Sequence, residues 1–331
     1  MSNISVKTPK LGKISKKILS NSIKVLQNTI PKSSLINWQH KLLFEPVIEQ
    51  RGLSSNGKPP LFKVIFFELR TKCNGSCGFC PVNIYSDIRE DVIMPFDLYQ
   101  KAIDELKILG FSGRVAFYNN SDPLIVPEIH KYIQIATTNL DRAHTFHICT
   151  NGLGLTKEKG EAMLEAGANK FTVNDYTKDL KAPLPKKIIM FKKLVENFNK
   201  GKSKPTELII TRREINAILD NKSGEAPNKP EPALMDFRGF CLQPFTRFCI
   251  DPSGVVSLCC MDAFISKKMG DINKEKLIDI WEGETFNYFR KHLIEGDRKS
   301  LPVCSNCDYY GIAKHNGDKT VLQKFVQLLT T

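Results

Sequence analysis

The sequence predicts an α/β protein: a parallel sheet of βα units, followed by a smaller cysteine-rich domain. Three observations carry this prediction. From about Leu61 to Thr211, short β-branched or aromatic runs alternate with helical patterns, the signature of βαβ units. Residues 221–232, NKSGEAPNKPEP, are rich in Pro, Asn, Lys and Gly, a composition that sustains neither helix nor strand and reads as a linker. Six of the ten cysteines in the 331 residues follow that stretch. The expected division is a basic, partly helical extension over 1–58, a βα core over 59–220, the linker over 221–232, a second domain over 233–311 and a tail over 312–331.

The extension holds eight lysines before its first acidic residue, Glu45. Leu19, Ile23, Leu26 and Ile30 recur there at helical spacing with Lys16, Lys17 and Lys24 between them. This predicts an amphipathic surface helix, expected to dock on its own core in preference to an anionic membrane or a partner protein. The formal charge of +13 speaks to association and not to fold, and no specific nucleic-acid partner is expected. No apolar run approaches the roughly 18 residues needed to cross a bilayer, and no secretory signal is visible, so the expected address is the cytoplasm. In that reducing compartment, closely spaced cysteines point to metal or redox chemistry more than to disulfides.

Five strands follow, read from short apolar or alternating runs: Val64 to Leu69, Val115 to Tyr118, Thr145 to Cys149, Phe171 to Asn174, and Leu208 to Thr211. The first intervening helix carries Phe96, Tyr99, Ile103 and Leu106 on one stripe, with Pro95 at its start and Gly110 after its end. The other three are expected near Val126 to Asn139, Lys157 to Ala166, and Pro185 to Phe198. In the second domain, FCIDPSGVVSLCC predicts a hairpin turning at Pro252 to Gly254, and a helical stretch is expected from Leu277 to Leu293.

The strongest chemical signal is TKCNGSCGFCP, residues 71–81, with Cys73, Cys77 and Cys80 inside eight positions. A structural zinc site closes with four ligands, so a compact trio leaves one coordination position open. Iron–sulfur clusters are held by thiolates, and a four-iron cluster given three of them keeps one iron free for an exogenous ligand. Gly75 and Gly78 let the backbone wrap closely around such a group. A zinc or purely redox site is the competing reading.

This C-x3-C-x2-C loop, with aromatic Phe79 before its last cysteine, resembles that of the radical S-adenosylmethionine (radical SAM) superfamily. The resemblance implies a partial (β/α) TIM-like barrel and a [4Fe-4S] cluster on Cys73, Cys77 and Cys80 whose open iron is chelated by SAM. It further implies reductive cleavage of SAM to a 5′-deoxyadenosyl radical that abstracts a substrate hydrogen. A reductant such as flavodoxin or ferredoxin and protection from oxygen come with that chemistry. A βα barrel places its chemistry at the carboxyl ends of its strands. There this sequence has the cysteine loop, NNSDP (119–123), TNG (150–152), NDY (174–176), and the pair Arg212, Arg213.

On the same resemblance, Asn119, Asn120, Ser121 and Asp122 hold the amino group of SAM. Asp122 replaces the family's usual Glu and two glycines are absent, so the backbone is the more credible contact. Asn174 is implied at the ribose, and Arg212 or Arg213 at the SAM carboxylate or a substrate. A polar turn ending a strand is the competing reading for Asp122, and Cys149, within a strand, reads as a small buried hydrophobe.

Cys241, Cys259, Cys304 and Cys307, separated by 17, 44 and 2 residues, resemble the SPASM and shorter twitch domains of that superfamily. This implies one auxiliary [4Fe-4S] cluster, with structural zinc as the competitor. Cys249 and Cys260 are surplus, and either could displace Cys241 or Cys259. The single-cluster spacing implies a radical SAM enzyme that oxidises or otherwise modifies a small, carbohydrate-like metabolite. A ribosomal-peptide maturase is the alternative, although the extension looks too short for a winged-helix peptide-recognition domain. A non-catalytic iron–sulfur or zinc protein is the alternative of another class.

Overall fold

The computed structural model describes residues 59–231 and 240–309. The extension with its predicted helix and the tail fall outside the described residues. Five strands arise where the apolar runs predict them: β1 (Val64–Phe67), β2 (Arg114–Ala116), β3 (Thr145–Thr150), β4 (Lys170–Thr177) and β5 (Glu207–Glu214). Each runs parallel to its neighbour. The crossovers are α1 (Phe96–Ile108), α2 (Ile129–Asn139), α3 (Lys157–Glu165) and α4 (Lys186–Phe198). A parallel sheet is covered on both faces, which is why β1 reads as continuous VIFF with Ile65, Phe66 and Phe67 buried. The stripe predicted on α1 buries Tyr99, Ile103 and Leu106 against that sheet. The second helix begins later than predicted, because Asp122 caps a 3-10 turn over Pro123–Ile125 first.

The sixth parallel strand comes from beyond the predicted linker. After the short helix α5 (Gln243–Thr246), β6 (Arg247–Ile250) pairs with β1 in register Val64↔Arg247 through Phe67↔Ile250. The expected hairpin then forms: β7 (Val255–Ser257) returns antiparallel to β6, with Gly254 at φ 87° in the turn, a conformation that favours glycine. An eighth strand, β8 (Lys268–Asp271), adds to β7 and has no counterpart among the predicted elements. The sheet order is β5-β4-β3-β2-β1-β6-β7-β8, an incomplete βα barrel whose last parallel strand opens the cysteine-rich segment.

The stretch expected to be a linker is docked at its first residue. Asn221 is wholly buried; its backbone N–H donates to Asp308 Oδ1 (2.7 Å) and its Nδ2 to the Asn306 carbonyl (2.7 Å), while the Asp308 N–H donates to Asn221 Oδ1 (3.0 Å). Lys222, Ser223 and Gly224 follow with successive positive φ of 49°, 58° and 95°. The single predicted C-terminal helix is two, α6 (Leu277–Glu282) and α7 (Glu284–Ile294), because Gly283 between them adopts an extended conformation. Trp281 on α6 meets Phe62 edge-on at 5.3 Å, donates its indole N–H to the Pro60 carbonyl (3.1 Å), and is fully buried. Burial of such a ring contributes on the order of 4 kcal/mol before entropy is counted, so this contact ties the cysteine-rich segment to the start of β1. Among the described residues no helix is long and apolar enough to cross a membrane.

Candidate functional site

Past β1 the chain turns into the cysteine loop, whose shape is set by polar contacts. The Gly78 N–H donates to the Ile215 carbonyl (3.0 Å), and the Asn83 amide donates to the carbonyls of Cys77 (3.2 Å) and Cys80 (2.7 Å). Arg89 closes the loop. It reaches back to Glu68 at 2.9 Å, grips Asp87 through two nitrogens at 3.0 Å each, and donates to the Thr71 carbonyl. Glu68 is buried at the end of β1, so this clamp fastens the loop to the sheet.

A cavity of about 120 Å³ opens over the loop. Cys73, Cys77, Phe79 and Cys80 form one side of it. Asn119, Asn120, Ser121 and Asp122 after β2, and Asn174 on β4, form the other. These predicted site residues are thus brought together. Arg212 and Arg213 are not among its walls. Arg212 pairs with Asp175 at 2.7 Å and donates to the carbonyls of Leu180 (2.9 Å) and Ala182 (2.6 Å).

Asp122 is also committed within the protein. Its Oδ1 accepts from the Leu124 N–H (2.9 Å) and the Thr150 hydroxyl (3.0 Å), and its Oδ2 from that hydroxyl (2.8 Å) and the Asn151 N–H (2.6 Å). It therefore joins the loop after β2 to the loop after β3. Asn174 is oriented by the Thr211 hydroxyl (2.6 Å) and by Cys149 Sγ (3.2 Å). Asn119 differs: its Oδ1 is buried and accepts no hydrogen bond. An acceptor so placed costs free energy until a donor reaches it.

Sequence reasoning passes over Asn83 and Tyr118, which also line the cavity together with Tyr176 of the NDY stretch. Asn83 has a local signal, since Asn after Cys-Pro-Val favours an Asx turn; its Oδ1 accepts from the N–H groups of Tyr85 (2.8 Å) and Ser86 (3.2 Å). Tyr118 hydrogen-bonds His147 Nδ1 at 3.0 Å, and the other ring nitrogen meets the Thr172 hydroxyl at 2.9 Å. Burial, with Arg114 and Lys170 nearby, pushes His147 down to about 3, so at neutral pH it is a neutral support for the phenol.

The donor set suits a bound metal cluster. Burial pushes the Cys73 thiol up to about 11 and Cys77 up to about 12, so a metal taking these ligands must displace protons. A Cβ on Gly75 would stand 3.6 Å from Cys73 Sγ and 3.7 Å from Cys77 Sγ, which makes the bare glycine the floor of the cradle. Among the described residues no three His, Cys, Asp or Glu side chains converge on a position for one metal ion.

Two arginines lie among the thiols of the second set. Arg298, buried, has Cys241, Cys307, Cys304 and Cys259 as the charges acting on it, the four residues predicted as ligands. The surplus pair instead belongs to Arg247, whose Nη1 lies 3.5 Å from Cys260 Sγ and on which Cys249 also acts. None of the ten cysteines is in a disulfide. Phe66, Cys249, Cys259, Cys260 and Cys307 share one buried cluster with Tyr118 packed on it, so Cys259 and Cys307 of the second set lie close behind a wall of the first cavity, whereas Cys241 and Cys304 are buried in the main core.

Residues 241–308 match SPASM, an iron–sulfur cluster-binding domain, beginning at Cys241 and ending one residue after Cys307. Over 248 residues the chain is 29% identical to an S-adenosyl-L-methionine-dependent 2-deoxy-scyllo-inosamine dehydrogenase from Niallia circulans, covering 75% of this chain and 93% of that protein. The crystal structure of BtrN in complex with AdoMet and 2-DOIA superposes with a TM-score of 0.64 at 27% identity, covering 76% of this chain and 94% of that one. Polyhistidine-tagged anSMEcpe with bound AdoMet, at 11% identity and a TM-score of 0.51, shares the fold, with 75% and 90% covered.

Proposed function

We propose that this chain, a radical SAM enzyme with a C-terminal SPASM-type cluster domain, oxidises a small carbohydrate-like molecule. The observation that carries the reading is the pairing of two donor sets: Cys73, Cys77 and Cys80 opening on a polar cavity, and a second set of which Cys259 and Cys307 sit in the buried cluster that the cavity-lining Tyr118 packs on. A site with three thiols leaves a corner for an exogenous ligand, whereas a site with four is closed and suited to passing electrons. The dehydrogenase from Niallia circulans supports the oxidative outcome and the carbohydrate-like substrate.

In this reading Cys73, Cys77 and Cys80 hold the first [4Fe-4S] cluster, and Cys241, Cys259, Cys304 and Cys307 hold the auxiliary one. When bound, the first cluster supplies the electron that cleaves SAM and starts hydrogen abstraction. The protein's own residues bind and orient. The backbone of Asn119 to Ser121 and the unpartnered Asn119 oxygen accept the amino group of SAM, while Asp122 acts as a positioning residue through Thr150 and Asn151. Asn174, fixed by Thr211, faces the cavity where the ribose would lie. Phe79 and Tyr176, with ring centroids 5.3 Å apart, form an apolar wall that excludes water. A small acidic electron carrier, flavodoxin or ferredoxin, supplies the reducing electron.

The test is anaerobic incubation of the iron-loaded, reduced protein with SAM and a panel of aminocyclitols. The reading expects 5′-deoxyadenosine to appear together with one equivalent of ketone from one member. Protein holding both clusters that cleaves no SAM would overturn it.

A further inference from the structure

Arg298 is 3% exposed, and among the described residues it makes no ion pair with a carboxylate. Its guanidinium donates only to backbone carbonyls: Nε to Cys304 (3.2 Å), Nη2 to Cys307 (3.3 Å) and Nη1 to Tyr309 (2.8 Å). Two of the three acceptors thus belong to predicted cluster ligands. A cation buried in a low-dielectric interior is strongly unfavourable unless an anion balances it. The carbonyl contacts seat the guanidinium against the turn that carries Cys304 and Cys307, beside the residues predicted to hold the cluster.

A second buried arginine shows the contrast. Arg290, 4% exposed, feels the charge of Glu282 and also lies 4.0 Å over the ring of Trp281 and 4.8 Å over that of Phe286. Aromatic faces share its charge. Among the described residues no ring lies over Arg298 in this way. Apart from its three carbonyl acceptors, the anionic group placed to balance it would be the cluster that Cys304 and Cys307 help to hold.

We propose that Arg298 is the built-in counter-charge of the auxiliary cluster, a positioning residue that favours the cluster's reduced form and so raises its reduction potential. The inference rests on the reading that Cys241, Cys259, Cys304 and Cys307 hold an iron–sulfur cluster. Reduction adds one electron to a group already carrying four thiolates. A fixed cation beside it stabilises the more negative state more than the less negative one. An electron leaving an oxidised substrate thereby finds a better acceptor.

The test uses the full chain carrying Cys73→Ala, Cys77→Ala and Cys80→Ala, so that only auxiliary irons report, with Arg298→Gln and Arg298→Lys added separately. Iron content and a potentiometric titration followed by electron paramagnetic resonance are the readouts. The expectation is that Arg298→Gln lowers the reduced-to-oxidised ratio at a fixed potential at least tenfold, about 59 mV for a one-electron couple. Arg298→Lys, which keeps the charge but not the planar fork, stays within about threefold of the parent. If the Gln variant cannot hold iron, retention by the Lys variant supports the charge role, and loss from both overturns it in favour of the fork's hydrogen bonds. Full iron with an unchanged potential in the Gln variant, or equal shifts in both, would also overturn it. Zinc in place of iron in the parent would refute the cluster reading itself, and the inference with it.

Discussion

Replacing Arg89 with Met tests how the cysteine loop is held. The Arg89 side chain is 14% exposed and the Glu68 side chain 2%, and they meet at 2.9 Å. Removing one partner of a buried pair costs about 3–5 kcal/mol, because the other charge is left uncompensated. Asp87, its side chain 4% exposed, loses the same partner and keeps the variant from falling at the low end of that range. Burial raises the Glu68 pKa more strongly than Arg89 lowers it. For a carboxyl raised in the folded state, the native protein binds the proton more tightly than the unfolded chain. Stability is therefore greater below the folded value and is lost as pH rises through it. Loss of Arg89 raises Glu68 further, so the deficit of Arg89→Met should shrink in acid and be largest at alkaline pH. Adding Glu68→Gln should recover about 2 kcal/mol, a coupling typical of residues in contact. Urea titration of the anaerobically loaded protein at about pH 5.5 and about pH 8 reads these terms. A deficit equal at both pH values, or a Glu68→Gln that deepens it, would refute the reasoning.

Gly75→Val should push its methyls into the cradle beside Cys73 and Cys77 and reduce bound iron from about eight to about four per chain, with circular dichroism unchanged. Asp122→Ala leaves buried donors on Leu124, Thr150 and Asn151 without their acceptor; a loss of about 3 kcal/mol is expected, with weaker SAM binding by calorimetry. Asn221→Ala breaks the reciprocal bonds to Asp308 and Asn306 and should lower stability by about 2–4 kcal/mol in a urea titration, although the segment lies outside both thiol sets.

What the sequence reveals, and what it hides, follows from how far apart the partners lie. The three cysteines of the loop and the stripe of α1 are legible because spacing within a few residues defines them. β6 reads as half of a separate hairpin because RFCI has no local mark of its parallel partner at residues 64–67. The ion pair of Arg212 with Asp175 has no mark in the sequence because it is set by the register of β4 on β5, where the two stand opposite each other. Asp122 looks like a cosubstrate contact because the groups that occupy it, at Thr150 and Asn151, arrive with the next strand. β8 escapes notice since KMGD neither alternates nor runs apolar, and Gly270 is required there by Ile280, whose side chain would lie 2.6 Å from an added Cβ. The docking of Asn221 stays hidden because composition shows only that a stretch cannot form a helix or strand, not that its polar groups find partners.

The central claim is that the trio Cys73, Cys77 and Cys80 leaves one corner of a cluster open to SAM. The most direct measurement is the electron paramagnetic resonance spectrum of the reduced protein carrying Cys304→Ala and Cys307→Ala, recorded before and after SAM is added. A shift of the cluster's g values on addition is the predicted result, reproduced as line broadening when the SAM amino nitrogen or carboxylate oxygen is isotopically labelled. A fully loaded cluster whose spectrum is indifferent to SAM would contradict the account.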